Sequence, residues 1–195
     1  RGEQDADTIG HFYYSGGHMQ QHAVLMGLGR LDNQGLALAI KRELNPRGSN
    51  WDLSYSQPQL AGGAQSSAQG YGQFLRGMLA GDLKMGALLG SHPVCTNPKT
   101  CPGDALKTPI PTTESWHYSL GHWVEDDAAV GDGAFSSPGA FGFYPWIHAN
   151  RQYYGILARE DHQGVLLGDP DTKPAIRSVS CGRLIRQAWE RGAIR

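Results

Sequence analysis

The chain has 195 residues, enough for one domain, or a large piece of one, with a sizeable core. Its 17 Lys+Arg against 18 Asp+Glu leave a net charge of -1 with no basic patch, acidic tail or charge run, which argues against nucleic acid or an anionic membrane as partner. No apolar run is long enough to span a bilayer, no signal peptide is present, and the opening RGEQDADTIG, without Met, reads as a processed end or the middle of a longer protein.

In chain order, four helices stand out. Residues 17–30 carry Met19, Ala23 and Met26 at helical spacing, just after the run FYYSGG. Residues 33–45 carry Leu36, Ile40 and Leu44 and stop before Pro46, which blocks continuation. Residues 67–80 show Ala68, Tyr71, Leu75, Met78 and Leu79 as one stripe, with Ser66 or Ser67 as cap and Gly81 as stop. Residues 179–191 place Cys181, Leu184, Ile185, Ala188 and Trp189 on one side and arginines on the other, so this amphipathic helix has to pack on something.

Strand signals lie before that last helix. YSLGHWVE (118–125) reads as one strand, and GAFGFYPWI (139–147) and YYGILARE (153–160) as an antiparallel hairpin joined by HANRQ. Residues 86–115, with five prolines and little periodicity, read as a long loop. The 27 Gly and 11 Pro fall at turns rather than in one tract. Helices first, then strands, then a closing helix imply an α+β fold, an antiparallel sheet flanked by helices within a single domain: helical region about 10–85, loop about 86–115, sheet and closing helix about 116–195. Three strands make a thin sheet, since about 5 are usual, which implies strands missing from this chain.

Cys95 and Cys101 bracket CTNPKTC, which either closes a small disulfide loop or stays reduced. Cys181 reads as a buried small hydrophobe, or else as a bridge to a missing segment. His11, His18 and His22 fall close together, but no His-Glu-x-x-His pattern is present and no metal is expected. No Gly-x-Ser-x-Gly elbow exists, which excludes an α/β-hydrolase. Tyr14 is either packing or a base, and a phenol becomes a base only beside cations or hydrogen-bond donors. SSPGAFGF (136–143) is either a tight hairpin entry or a strand whose free N–H serves as an oxyanion donor.

Five stretches in order resemble the serine β-lactamase and penicillin-binding-protein superfamily, in its class C β-lactamase and esterase branch. FYYSGGHMQQHAVLMGLG resembles that family's Tyr-x-Asn segment and helix, and ELNPRGS its Pro-Leu-Gly-Met turn. PQLAGGAQSSAQGYGQFLRGMLAGD resembles its Gly-Gly-x-x-Ser-Thr stretch, YSLGHWV its Tyr-Gly-Leu-Gly-Trp strand, and SSPGAFGFYPWIHANRQYYGILARE its Lys-Thr-Gly strand and hairpin partner. The likeness runs from about residue 9 to the final helix. It implies that Tyr14 is the catalytic tyrosine, moving the proton of a serine nucleophile, and that Ala140 supplies an oxyanion N–H. Ser137, Pro138 and Gly139 fall on the Lys-Thr-Gly triplet and would line the substrate edge. Gly16 stands where the family often has Asn, and Gly16–Gly17 would let the chain turn sharply into the helix. Trp116, Tyr118 and His122 are weaker candidates for the cleft wall.

Two departures shape the expectation. With Gly16 and Ser137-Pro138 in motif positions, a β-lactam carboxylate loses its expected anchor, so ester or peptide-like substrates fit better than β-lactams. The family's nucleophile motif, Ser-x-x-Lys, is absent, and TNPK (96–99) has the spacing but uses Thr. The resemblance therefore implies the C-terminal chain of a serine hydrolase that cleaves an ester or amide through an acyl-serine intermediate, with Ser-x-x-Lys on a separate N-terminal chain of the same precursor. It implies no cofactor, and a periplasmic or secreted location. The alternative is a non-catalytic binding or structural subunit of the same fold.

Overall fold

The computed structural model describes residues 6–44, 51–163 and 170–192. Most of ELNPRGS and the end of the helix expected over 33–45 lie outside those residues. The chain divides into two compact units, one from the residues up to Tyr14 with those from Leu88 onward, the other Ser15–Ala87.

The Ser15–Ala87 unit holds α1 (Gly17–Leu25), α2 (Asn33–Leu44), the antiparallel pair β2 (Ser54–Gln59) and β3 (Gly62–Gln65), and α3 (Ala68–Leu79), with α4 (Met85–Leu88) at its end. The region expected to be helical, about 10–85, thus also contains an antiparallel strand pair, β2–β3. α3 follows its sequence signals: the Ser67 side chain accepts from Gly70 N–H at 3.1 Å, Leu75 and Met78 are buried, and Gly81 takes a positive φ of 78° after the last turn. Ser66 does other work. Its hydroxyl donates to Asp52 at 2.7 Å and accepts from the Trp51 indole at 3.0 Å. α1 buries only Ala23, while Val24, Leu25 and Met26 are exposed.

The other unit is built on six strands, β4 (Val94–Cys95), β6 (His117–Ser119), β7 (His122–Glu125), β8 (Ala134–Ser136), β9 (Tyr144–Ile147) and β10 (Tyr154–Leu157). They form one sheet in the order β10-β9-β8-β7-β6-β4, antiparallel at every pairing. β1 (Phe12–Tyr13) pairs separately, in parallel, with β5 (Ala105–Lys107). The α+β class and the antiparallel sheet stand. The expected three-strand sheet does not, and with six strands the count gives no reason to suppose missing ones.

Three differences account for the change. The stretch 118–125 is a hairpin rather than one strand, because Leu120 (φ 42°) and Gly121 (φ 95°) both turn left-handed, as a two-residue hairpin loop requires. β8 lies in a Gly- and Asp-rich stretch too short for an alternation signal. The region read as a 30-residue loop supplies β4, β5 and a Cys95–Cys101 disulfide with Cα atoms 6.4 Å apart. Within that small ring Asn97 is buried, and its amide donates to Thr112 O (3.2 Å) and Glu114 O (2.9 Å).

α5 (Pro174–Glu190) begins five residues before the expected helix and lies on the sheet, where Ile176 and Val179 join Trp116, Trp123, Tyr144, Trp146 and Ile110 in the core. Its polarity is the reverse of the expected one. Arg183 and Arg186 face inward and are buried, while Leu184, Ile185 and Trp189 are exposed, Trp189 by 68%. Cys181 is also exposed, which corrects its reading as a buried hydrophobe.

Ion pairing explains how two arginines sit buried beside an aromatic core. Arg186 Nε meets Asp132 Oδ2 at 2.5 Å, its Nη2 meets Glu125 Oε2 at 3.0 Å, and its Nη1 donates to Tyr144 OH at 2.8 Å. Tyr144 OH donates to Glu125 Oε1 at 2.6 Å. Arg183 forks onto Glu114 (2.7 and 3.2 Å), which also accepts from the Trp116 indole at 2.7 Å. Both guanidinium groups lie over aromatic rings, Arg183 over Trp116 and Arg186 over Tyr144 and Trp146. Burial pushes the Glu125 carboxyl up against the pull of Arg186, so the charges are held by these contacts and not by solvent.

Candidate active site

Tyr14 follows β1, and its backbone N–H donates to Lys107 O at 2.9 Å, so the β1–β5 pairing positions it. Its ring tilts against Trp123 with centroids 5.4 Å apart and stands edge-on to Tyr118 at 6.1 Å. It remains 40% exposed. Tyr13, its neighbour, turns elsewhere: Lys107 Nζ lies 5.1 Å over its ring and 3.5 Å from its hydroxyl. Burial pushes the Tyr14 phenol up, and burial with the proximity of Tyr14 pushes Tyr118 up to about 12. Both phenols are therefore neutral near pH 7.

Trp123 on β7 is the direct partner of Ser136 on β8, and opposed residues of antiparallel strands share a face. The aromatic platform under Tyr14 thus lies across one strand pairing from the residue that leads into Ser137, Pro138, Gly139 and Ala140. After Ser136 the chain makes a closed turn. Ser137 N–H donates to Pro145 O at 3.2 Å, Gly139 N–H to Phe143 O at 2.8 Å, and Gly142 N–H to Gly139 O at 2.8 Å. Ala140 and Phe141 occupy the two central positions of the Gly139–Gly142 turn. Ala140 is exposed, and its N–H makes no hydrogen bond among the described residues. The turn is tied from outside as well: Asp161 N–H donates to Phe141 O at 2.8 Å, Ser178 Oγ–H donates to Gly142 O at 2.8 Å, and the Phe141 ring lies on His162 at 4.5 Å.

Gly16 belongs to the Ser15–Ala87 unit and sits at the cap of α1. Its φ of -74° is open to any residue, so no sharp turn explains the glycine. Close approach does: a Cβ there would lie 3.0 Å from the Ala61 Cβ, so a larger residue requires Ala61 to give way. Of the weaker candidates, only Tyr118 meets Tyr14. Trp116 is core, at 1% exposure. His122 points to the opposite face of β7 from Trp123, where its Nε2 accepts from Gly90 N–H at 2.9 Å beside the Phe135 ring. Burial lowers His122 to about 4, so it is neutral, with Nδ1 buried and unpartnered. His18 and His22 are exposed on α1, and His11 Nδ1 lies 2.9 Å from Gly103 O. Among the described residues no group of three or more His, Cys, Asp or Glu could hold a metal ion. No helix among them is long and apolar enough to cross a membrane.

Sequence reasoning missed the Arg183/Arg186 network behind the platform and the outside ties on the 139–142 turn. The network had a faint signal, two arginines three residues apart on the helix that has to cover VEDD and GDG. The ties had none, because Ser178 is 36 residues from the carbonyl it holds. Comparison of the chain with protein families, curated proteins and solved structures finds no match.

Proposed function

We propose that this chain is the C-terminal part of an acyl-serine hydrolase of the β-lactamase-like fold, cleaving an ester or amide, with the Ser-x-x-Lys nucleophile on a preceding segment of the same precursor. The observation that carries the reading is a juxtaposition: a half-exposed Tyr14 lies on Trp123, and the strand partnered with Trp123 runs into a turn whose exposed Ala140 has an N–H with no hydrogen bond among the described residues. In this reading Tyr14 takes the proton of the serine hydroxyl and passes it to the leaving group. Ala140 N–H donates to the oxyanion. Ser137, Pro138 and Gly139 border the substrate. Because burial alone holds the Tyr14 phenol high, its work as a base requires a cation beside it, which the lysine of Ser-x-x-Lys would bring.

One feature supports a preceding segment independently of strand number. The outward side of α5 exposes Leu184, Ile185 and Trp189, an apolar surface that a covering segment would take out of water. The Cys95–Cys101 bridge supports an oxidising compartment, periplasmic or extracellular.

A mass spectrum of the denatured native preparation, after treatment with a serine-reactive acylating probe, tests the proposal. A labelled serine in a Ser-x-x-Lys segment, either on a second polypeptide in equal amount or on a longer single chain, supports it. An unlabelled species of 21.1 kDa alone contradicts it and favours a non-catalytic binding subunit.

A further inference from the structure

We propose that Ser178 is a positioning residue for the Ala140 oxyanion donor, acting through the Gly142 carbonyl; this rests on the hydrolase reading, which gives Ala140 N–H a reacting oxygen to meet. Ser178 lies inside α5 and is buried. A serine there is a poor helix former, and it ordinarily turns its hydroxyl back onto the carbonyl four residues earlier. Ser180 does so, donating to Ile176 O at 3.1 Å. Ser178 instead reaches out of its helix and donates to Gly142 O at 2.8 Å.

The carbonyl it holds belongs to Gly142, the last residue of the turn that presents Ala140, whose own N–H closes that turn on Gly139 O at 2.8 Å. Gly142 has a φ of 97°, which side chains rarely adopt, and a Cβ there would come within 3.2 Å of both Ser178 Oγ and Arg159 Cδ. The turn has little width to spare between its own bonds and these two residues. The Asp161 N–H bond to Phe141 O fixes the neighbouring carbonyl, and Asp161 is itself paired with Arg159. Two adjacent carbonyls, Phe141 and Gly142, are thus tied by groups outside the turn. The peptide N–H of Ala140, one residue before them, is left unbonded. An oxyanion donor is useful only if it stays put while charge develops, and a displacement of about 1 Å can cost about a hundredfold in rate.

The test uses the complete hydrolase, this chain together with its Ser-x-x-Lys segment, and p-nitrophenyl acetate as probe. Ser178→Ala is expected to lower kcat about 10- to 100-fold with KM within about twofold, since a developing oxyanion and not the bound ester loses its partner. Ser178→Thr keeps the hydroxyl and is expected to recover most of kcat, and amide exchange in a peptide spanning residues 137–143 should quicken in Ser178→Ala and slow again in Ser178→Thr. Should Ser178→Ala not fold, Ser178→Cys, close in shape with a weaker donor, carries the test through an intermediate loss. Wild-type kcat in Ser178→Ala or Ser178→Cys overturns the role of Ser178 and leaves the hydrolase reading standing. A wild-type protein that neither hydrolyses the ester nor takes an acyl label overturns both.

Discussion

Replacing Arg186 by methionine isolates the buried ion network. The guanidinium is 1% exposed and meets Asp132, Glu125 and the Tyr144 hydroxyl at 2.5 to 3.1 Å. Methionine fills much of the space of the arginine stem, so the loss is electrostatic rather than a cavity. It leaves Glu125, fully buried, with Tyr144 OH at 2.6 Å and Arg183 Nε at 3.5 Å. Stranding a buried charge in this way costs about 3–5 kcal/mol. With a urea slope of about 2 kcal/mol/M, the unfolding midpoint should fall by about 2 M.

The deficit should also depend on pH. Burial already raises the Glu125 carboxyl, and losing Arg186 raises it further. The folded state then binds that proton more tightly than the unfolded chain does, so stability is lost as pH rises from the unfolded value through the folded one. Arg186→Met should therefore be more destabilising at pH 8 than at pH 5. Adding Glu125→Gln removes the stranded charge and should restore about 1–2 kcal/mol of the loss. A single variant within about 1 kcal/mol of wild type, or a double variant whose losses simply add, would refute the network as described.

His122 makes a second pH prediction. Its folded value of about 4 lies below the unfolded 6.5, so the folded state binds fewer protons between them, and stability falls as pH drops through that window. The loss should be about 3 kcal/mol between pH 7 and pH 4, and His122→Gln, whose amide oxygen can still accept from Gly90, should remove that share of it; equal pH slopes in the two proteins' urea midpoints would count against a buried neutral imidazole. The Cys95–Cys101 ring spans six residues, so converting both cysteines to serine should lower stability by about 2 kcal/mol in thermal or urea unfolding, and no change would mean that Asn97 holds the loop unaided.

Local signals and distant contacts divide what the sequence reveals. The α3 stripe with its Ser67 cap and Gly81 stop, and the hairpin from Tyr144 to Leu157, depend on residues within a few positions, and they read through. The Leu120–Gly121 turn did not, because leucine rarely takes a left-handed φ and only the tertiary fit of β6 against β7 demands it. The inward arginines of α5 leave no local trace, since charge on a helix usually faces solvent; the partners of Arg186, Glu125 and Asp132, lie 61 and 54 residues away, and Glu114, the partner of Arg183, lies 69 away. At the candidate site, Tyr14 was visible as one of two adjacent tyrosines that have to diverge. That Trp123 would be its platform depends on β7 pairing with both β6 and β8, which alternation alone does not specify.

Hydrolysis by this chain and its Ser-x-x-Lys segment would depend on the Tyr14 hydroxyl. The most direct measurement is the rate at which a serine-reactive acylating probe labels the complete protein, compared with Tyr14→Phe, which removes one hydroxyl and keeps the ring on Trp123. Labelling at the Ser-x-x-Lys serine should slow by about 10²–10⁴-fold while thermal unfolding stays near that of wild type. Labelling of Tyr14→Phe at the wild-type rate would contradict it.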